Sequence, residues 1–330
     1  MKYASVCSGV EAASLAWMPL GWEAVWFSEI EPFPCAVLKE RFPNVPNLGD
    51  MTKIEGEKYR GTVDLLVGGT PCQGFSVAGK QDGLDDPRSA LCLAYCGLLE
   101  TMRPRWFVWE NVPGVFSSNC GEDFRAFLRK IDEIGYSCAW RVLDAQYVRV
   151  DGFPRAVPQR RRRVFVVGHL GDWRYPASVL FEPSCLPGNT PPRRVKGEGI
   201  APDAKNSTRT TGSGVFWNGN NYAETLKANC DQDRMPDTGR LNCVIETSPI
   251  VCYENHAAIR RLLPIETERL MGFPDNHTRI PWRGKPAEQC PDSPRYRACG
   301  NSMCVNVMRW IGMRIEYVER RIEQKARGEE

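Results

Sequence analysis

The sequence lacks any apolar run long enough to cross a bilayer, which takes about 18–20 consecutive apolar residues. Its first residues also lack the apolar core and the cleavage site of a secretory signal peptide. These two absences exclude a membrane protein and a secreted protein, and they predict a cytoplasmic location.

Paired cysteines are missing as well. The 14 cysteines are scattered along the chain, and none forms a Cys-x-x-Cys pair. We therefore expect neither a disulfide framework nor a structural zinc site, and no other metal site is indicated. Most of the cysteines are expected to be reduced and buried as small apolar side chains.

The sequence also has no strong excess of one charge. A net charge of +3 is too small to indicate nucleic-acid binding by itself. The positive charge is locally concentrated, however, because Arg155 and Arg160 to Arg163 lie together without an acidic residue among them.

The loop after the first predicted strand has no Gly-x-Gly-x-x-Gly, which argues against a nicotinamide dehydrogenase.

Short β-rich runs alternate with helical patterns in the first half of the chain. Predicted strands span residues 3–6, 24–27, 63–67, 106–109, 138–143 and 164–167. Phe124, Phe127, Leu128, Ile131 and Ile134 follow helical spacing, and Gly135 ends that helix. The alternation predicts an α/β fold, with a mostly parallel twisted sheet and helices on both faces. In such sheets, ligands bind at the carboxyl ends of the strands.

Residues 172–252 are rich in Pro, Gly, Asn, Thr and Arg and lose helical periodicity. Apolar anchors such as Trp217 and Leu226 favour a small irregular domain, while a flexible linker is the alternative. A helix is predicted again over residues 259–271. From Ser302 onward, apolar residues near helical spacing predict a long amphipathic helix with a charged end.

Cys72 lies in the segment Gly68-Gly69-Thr70-Pro71-Cys72-Gln73, which directly follows an apolar predicted strand. Glycines at the end of a strand let the backbone approach a ligand, and Pro71 fixes the turn. A cysteine presented there is a candidate nucleophile if nearby positive charge favours its thiolate.

Two further segments carry polar groups to the predicted sheet edge. Glu110 and Asn111 end the apolar run that begins at Trp106, and desolvation there would raise the pKa of the acid. Arg161 and Arg163 lie in a segment that runs into the predicted strand 164–167, and alternate residues of an extended segment share a face. A simple surface patch is the alternative for these arginines.

Glu29 lies twenty positions after Gly9, at the end of the second predicted strand. An acid at this distance from the first loop can bind ribose hydroxyls, as in other nucleotide-binding βαβ units. The alternative is a surface turn residue.

The order Pro-Cys-Gln, Glu-Asn-Val and Gln-x-Arg-x-Arg resembles the cytosine-5 DNA methyltransferases. Residues 260–275 resemble the penultimate conserved block of that family, and residues 296–302 resemble the last block. These five blocks stand in the family's order over nearly the whole chain outside the irregular region. The resemblance implies a Rossmann-like S-adenosylmethionine-dependent domain and a smaller target-recognition domain.

The resemblance also implies a role for each matching residue. Cys72 would add to carbon 6 of a flipped-out cytosine, and Glu110 would contact its N3 edge. Arg163 would hold the target base, with Arg161 close by in the same pocket. Glu29 would bind the ribose of S-adenosylmethionine and Asp50 its adenine. Further implied cofactor contacts are Cys7, Gly9, Ile30, Pro71, Leu91, Asn301 and Ser302.

The chain departs from the family's pattern in several places. The first block reads Cys7-Ser8-Gly9-Val10-Glu11-Ala12 where Phe-x-Gly-x-Gly-Gly is usual, so Glu11 replaces a glycine. Ile30 stands where a tryptophan is frequent, and Leu263 where a threonine is common.

The expected organisation is a catalytic domain over residues 1–171 and 293–330 and a target-recognition domain over residues 172–292. The expected partner is double-stranded DNA, bound by a monomer at the nucleoid, in a setting typical of restriction–modification systems. A transfer-RNA cytosine-5 methyltransferase and a catalytically inactive DNA-binding relative are the alternatives. The recognised DNA sequence is not readable from these residues.

Overall fold

The computed structural model describes residues 1–70, 87–150, 156–181, 243–247 and 257–328. In the short segments 87–89, 243–247 and 257–261, it describes the backbone alone. The strands are β1 (Lys2–Val6), β2 (Glu23–Ser28), β3 (Leu65–Gly68), β4 (Trp106–Asn111), β5 (Tyr136–Asp144), β6 (Arg162–Leu170), β7 (Cys243–Thr247) and β8 (Ala257–Arg261). The first six form one sheet in the order β2-β1-β3-β4-β6-β5, and β7 pairs with β8.

Alternating side chains of the central strands enter two separate cores, one on each face of the sheet. In β4, Trp106 and Val108 enter the first core, and Phe107 and Trp109 enter the second. All four are fully buried. This alternation follows from the two-residue period of a strand, and burial on both faces explains why the strands read as continuous apolar runs.

Helices cover both faces, which confirms the predicted layers. They are α1 (Ala12–Trp17), α2 (Pro32–Arg41), α3 (Pro87–Met102), α4 (Glu122–Glu133), α5 (Arg174–Leu180), α6 (Pro264–Leu270), α7 (Asp292–Asn301) and α8 (Val305–Ala326). Helices α1, α5 and α8 pack on the first core, and α3 and α4 pack on the second. The predicted helices ending at Gly135 and following Ser302 correspond to α4 and α8.

The strand β6 runs antiparallel to both of its neighbours, β4 and β5. The other pairs of this sheet, β1 with β2, β1 with β3 and β3 with β4, are parallel. The sheet is therefore mostly parallel in strand direction, as expected, with one reversed strand. Because of this reversal, the beginning of β6 lies at the same sheet edge as the end of β4, and Asn111 pairs with Val164.

The helix predicted over residues 259–271 is wrong in its first part. Residues 257–261 form strand β8, and α6 begins at Pro264. Leu263 has an extended backbone (φ −72°, ψ 155°), as expected for a residue before proline. Pro264 then occupies the first turn, where its missing N–H costs no helical hydrogen bond.

Residues 262–292 contribute to the first core through Leu262, Leu270, Phe273 and Ile280. The Arg41 Nε donates to the His277 carbonyl at 2.8 Å, which ties this segment to α2. These contacts favour grouping residues 262–292 with the α/β core, whereas our division assigned them to the second domain. The division itself stays a prediction. Within the described residues, no helix combines the length and apolarity that crossing a membrane requires.

Gly168 in β6 faces the ring of Phe107, and an added Cβ would overlap that ring. We expect Gly168→Ala to lower the free energy of unfolding by about 1–3 kcal/mol, because the fully buried ring has little room to move. Gly97→Ala is the matched control, since nothing lies within 4 Å of its added Cβ inside α3. Alanine there should be neutral or stabilising by up to about 1 kcal/mol. Equal effects in urea denaturation would contradict this account of the sheet.

Candidate functional site

The end of β4 is fastened to the loop that follows β3. Trp109 Nε1 donates to Thr70 Oγ1 at 3.0 Å, and Asn111 Nδ2 donates to the Thr70 carbonyl at 3.0 Å. Thr70 is fully buried. A Cβ on Gly69 would lie 3.1 Å from Glu110 Oε2, so the glycine lets this loop pass close to the acid. Pro71 and Cys72, which come next in sequence, lie outside the described residues.

Glu110 forms an ion pair with Arg163 across the junction of β4 and β6. Arg163 Nε lies 3.0 Å from Glu110 Oε1, and the two side chains are only 14% and 13% exposed. The two residues meet because reversed β6 starts where β4 ends. Burial raises the pKa of the Glu110 carboxyl group, and the nearby charges of Arg163 and Arg161 oppose that rise.

Arg161 is buried behind this pair, with 2% of its surface exposed. Its Nη2 donates to the carbonyl of Gly300 at 3.1 Å and to that of Ser302. Burial and the charge of Arg163 lower the pKa of Arg161 to about 10. Its Nε and Nη1 find no hydrogen-bond acceptor within the described residues. Arg161 therefore connects the last block of the chain to the site. Its Nε and Nη1 groups can still donate hydrogen bonds.

The Glu29 carboxylate is held by backbone N–H groups. Gly9 N donates to its Oε2 at 2.8 Å, and Ile30 N and Glu31 N each donate to Oε1 at 2.8 Å. Gly9 has a positive φ of 57°. Ile30 is 69% exposed beside the acid, and an exposed apolar side chain at this place can pack against a nucleoside.

Asp50 lies farther along the same edge, after β2. Its Oδ1 accepts hydrogen bonds from Thr52 N at 3.0 Å and Thr52 Oγ1 at 2.8 Å. These hydrogen bonds lower the pKa of Asp50. Lys53 Nζ is 3.7 Å from Asp50 Oδ2. Asp50 therefore presents an ionised acceptor in the loop after α2.

A cavity lies between the loop after β1, the end of β4 and the residues preceding α8. Its empty space, part of which is open solvent, is about 410 Å³. Its lining residues are Ser5, Cys7, Ser8, Gly9, Glu11, Ala12, Ala13, Val67, Gly69, Glu110, Asn301, Ser302 and Met303. The small lining residues and the fixed acid Glu29 nearby fit a nucleoside cofactor such as S-adenosylmethionine.

Not every predicted site residue lines this cavity. Cys7, Gly9, Glu110, Asn301 and Ser302 do, and Arg161 and Arg163 lie directly behind Glu110. The four others that the structure describes, Glu29, Ile30, Asp50 and Leu91, are not part of the lining. Leu91 packs partly buried against the second core.

Sequence reasoning missed Glu11 as a lining residue. The sequence did contain an indication, because Glu11 stands in the first loop where the family usually has a glycine. Across the described part of the chain, no cluster of three or more His, Cys, Asp or Glu side chains could hold a metal ion.

The fold is shared with several solved methyltransferase structures. Spodoptera frugiperda DNMT2 superposes with a TM-score of 0.67 at 17% identity, covering 96% of this chain and 99% of that one. The Entamoeba histolytica methyltransferase EhMeth gives a TM-score of 0.66 at 15% identity, covering 96% and 97%. At these identities the likeness shows the fold alone, that of an α/β methyltransferase.

The sequence defines the family more closely. The model of the C-5 cytosine-specific DNA methylase family matches residues 1–317, and the chain belongs to this family. Type II methyltransferase M2.BsuMI of Bacillus subtilis is 29% identical, over 94% of this chain and 74% of that protein. An Escherichia phage P1 protein named DNA N-6-adenine-methyltransferase is 35% identical over 95% of this chain. The chain spans 61% of the length of that phage protein.

The Glu110–Arg163 pair leads to a prediction about proton affinity. Replacing Arg163 by glutamine removes a positive charge that lowers the pKa of Glu110, so this pKa should rise further above its ordinary value. It can be followed by carboxyl-carbon NMR, on the signal that Glu110→Gln removes. Arg162→Gln is the control, because exposed Arg162 lies on the opposite face of the strand. The same shift in both variants would mean that the pair has no specific effect.

Proposed function

We propose that this chain is a DNA (cytosine-5)-methyltransferase with S-adenosylmethionine as its methyl donor. The observation that carries the proposal is the Glu110–Arg163 pair, which borders the cavity at the carboxyl ends of β1, β3 and β4. Membership of the C-5 cytosine-specific DNA methylase family supports the same reaction.

Cys72 is the proposed nucleophile. It follows Thr70 by two positions in the sequence, and Thr70 is hydrogen-bonded to β4 beside Glu110. Its thiolate would form a bond to carbon 6 of cytosine, which breaks the 5,6 double bond and makes carbon 5 nucleophilic. Carbon 5 would then bond to the methyl group as the bond between that methyl group and the donor's sulfur breaks. Loss of the proton on carbon 5 and departure of the thiolate would restore the aromatic ring.

Glu110 would act on the N3 edge of the base. Its raised pKa means that the carboxyl group takes up a proton more readily than an ordinary glutamate, so it can pass a proton to N3 as negative charge develops there. Arg163 orients this carboxyl group through the ion pair and holds the base. Buried Arg161 supports both groups and has two donors not used by other described residues.

The donor supplies an electrophilic methyl group on a sulfonium. Glu29 would accept hydrogen bonds from its ribose hydroxyls, and Asp50 would contact its adenine. Asn301 and Ser302 would close the cavity from the side of the last block. The remaining proposed contacts are Cys7, Gly9, Ile30, Pro71 and Leu91.

The proposed substrate is double-stranded DNA, from which the target base must be flipped out to reach the cavity. Residues 172–258 would read the DNA sequence, with arginines and asparagines suited to phosphates and base edges. We infer a monomer that works in the cytoplasm at the nucleoid, with a target-recognition domain inside residues 172–292.

Three alternatives can be separated in one set of assays. The name of the phage P1 relative suggests adenine methylation as one alternative. The fold is also compatible with a transfer-RNA cytosine-5 methyltransferase or with an inactive DNA-binding protein. Mass spectrometry of nucleosides from duplex DNA and transfer RNA should find 5-methylcytosine in DNA. N6-methyladenine alone, or methylation of transfer RNA alone, would overturn the proposal. Failure to bind S-adenosylmethionine would favour the inactive protein.

Cys72→Ser should reduce 5-methylcytosine formation by at least about a thousandfold, because a hydroxyl group is a far weaker nucleophile than a thiolate. DNA binding and thermal stability should change little. Cys120→Ser is the control, since Cys120 is an exposed free cysteine. Undiminished turnover in Cys72→Ser would remove Cys72 from the mechanism.

Glu110→Gln should slow methyl transfer by about 10²–10⁴-fold, which is the usual contribution of an acid–base group. The dissociation constant for DNA should change much less, because the amide keeps the shape of the side chain. Single-turnover kinetics and equilibrium DNA binding measure the two effects. Equal losses in rate and affinity would contradict a role in proton handling.

A further inference from the structure

The cavity has an unbalanced set of charges. Two acids, Glu11 and Glu110, line it, and among the described lining residues there is no lysine, arginine or histidine. The charge of Glu110 is balanced by Arg163, whose Nε lies 3.0 Å from Glu110 Oε1. Glu11 forms no ion pair with any of the described residues, although only 1% of its surface is exposed.

Neutral donors hold the Glu11 carboxyl group in place. Its Oε2 accepts hydrogen bonds from Ser14 N at 2.8 Å and Ser14 Oγ at 2.6 Å, and the Ser5 side chain also bonds to it. Ser14 Oγ gives its proton to Glu11, so the Tyr3 hydroxyl, 2.7 Å away, must donate to Ser14. These hydrogen bonds come from neutral groups, so none of them balances a negative charge on Glu11.

The position of Glu11 in the loop is also unusual. Its φ of 61° lies in the left-handed region, which residues other than glycine adopt at a cost. The fold therefore combines a strained backbone with a buried carboxyl group that has no cationic partner among the described residues. A buried charge normally requires a partner of opposite sign. In this cavity, a bound ligand is the group that can supply one.

We propose that the Glu11 carboxylate is the counter-ion for a cationic group at the methionyl end of the cofactor, and that it selects this cofactor over neutral nucleosides. This inference rests on the proposed function. S-adenosylmethionine carries two positive groups, a sulfonium and an α-ammonium. Opposite charges attract more strongly in a water-poor cavity than in water, so one such contact gives marked selectivity.

The charge of Glu11 depends on whether a cation lies beside it. Burial raises the pKa of its carboxyl group, and the hydrogen bonds from Ser14 and Ser5 compensate only in part. A cation bound beside the carboxyl group would favour its ionised form. The substitution of glycine by an acid in the first loop then has a physical reason.

Calorimetry on the full chain with three ligands tests the inference. S-adenosylmethionine has both cationic groups, S-adenosylhomocysteine keeps only the ammonium, and methylthioadenosine has neither. In Glu11→Gln, the affinity for S-adenosylmethionine should fall by about tenfold or more, while that for methylthioadenosine stays within about twofold. If the affinity of Glu11→Gln for S-adenosylhomocysteine also falls, the ammonium is the group that contacts Glu11. If this affinity is unchanged, the sulfonium is the contact.

Two further variants guard against a purely structural explanation. Glutamine keeps the carbonyl oxygen that caps α1, and Glu11→Gly relieves the left-handed backbone, so both should fold. Glu11→Gln and Glu11→Gly should both lose the preference for S-adenosylmethionine over methylthioadenosine. The variant Glu23→Gln, at an exposed position, should keep this preference. Equal weakening of all three ligands, or unchanged affinity for S-adenosylmethionine, would overturn the role of Glu11. A wild-type chain that binds none of them would overturn the proposed function as well.

Discussion

The ion pair between Glu110 and Arg163 depends on one topological constraint, the reversed direction of β6. In an all-parallel sheet, the start of β6 would lie at the edge opposite to the end of β4. The reversal brings Arg161 and Arg163 to the edge where β1, β3 and β4 end. A guanidinium group and a carboxyl group then meet at 3.0 Å without either lying on a long loop. Strand pairing on both sides of β6 makes this geometry rigid.

Much of the fold was predictable because its signals are local. Apolar runs such as residues 106–109 gave the strands of the large sheet, and the spacing from Phe124 to Ile134 gave α4. The direction of β6 has no local signal, since an apolar strand reads alike in either orientation. The helix predicted from residue 259 failed because apolar residues before Pro264 suit a strand equally well.

The residues of the candidate site could be predicted where they belong to recognisable motifs. They could not be predicted where tertiary packing alone determines their surroundings. Glu110, Arg161 and Arg163 converge because strand pairing brings distant segments together. The spacing of Gly9 and Glu29 indicated a shared site, and the Gly9 N–H bonds the Glu29 carboxylate. The hydrogen bonds that bury Glu11 require Tyr3, Ser5 and Ser14 to surround it, and sequence spacing does not reveal such an arrangement.

Arg161 contacts carbonyl groups at Gly300 and Ser302, 139 and 141 positions farther along the chain. Trp17 Nε1 likewise donates to the Met308 carbonyl at 2.8 Å, a separation of 291 positions. During synthesis, a nascent chain presents the sheet long before these acceptors leave the ribosome. Until then the Arg161 guanidinium group lacks its acceptors, and the pocket lacks one wall. The cavity can therefore bind a ligand only in chains whose folding has joined these distant segments.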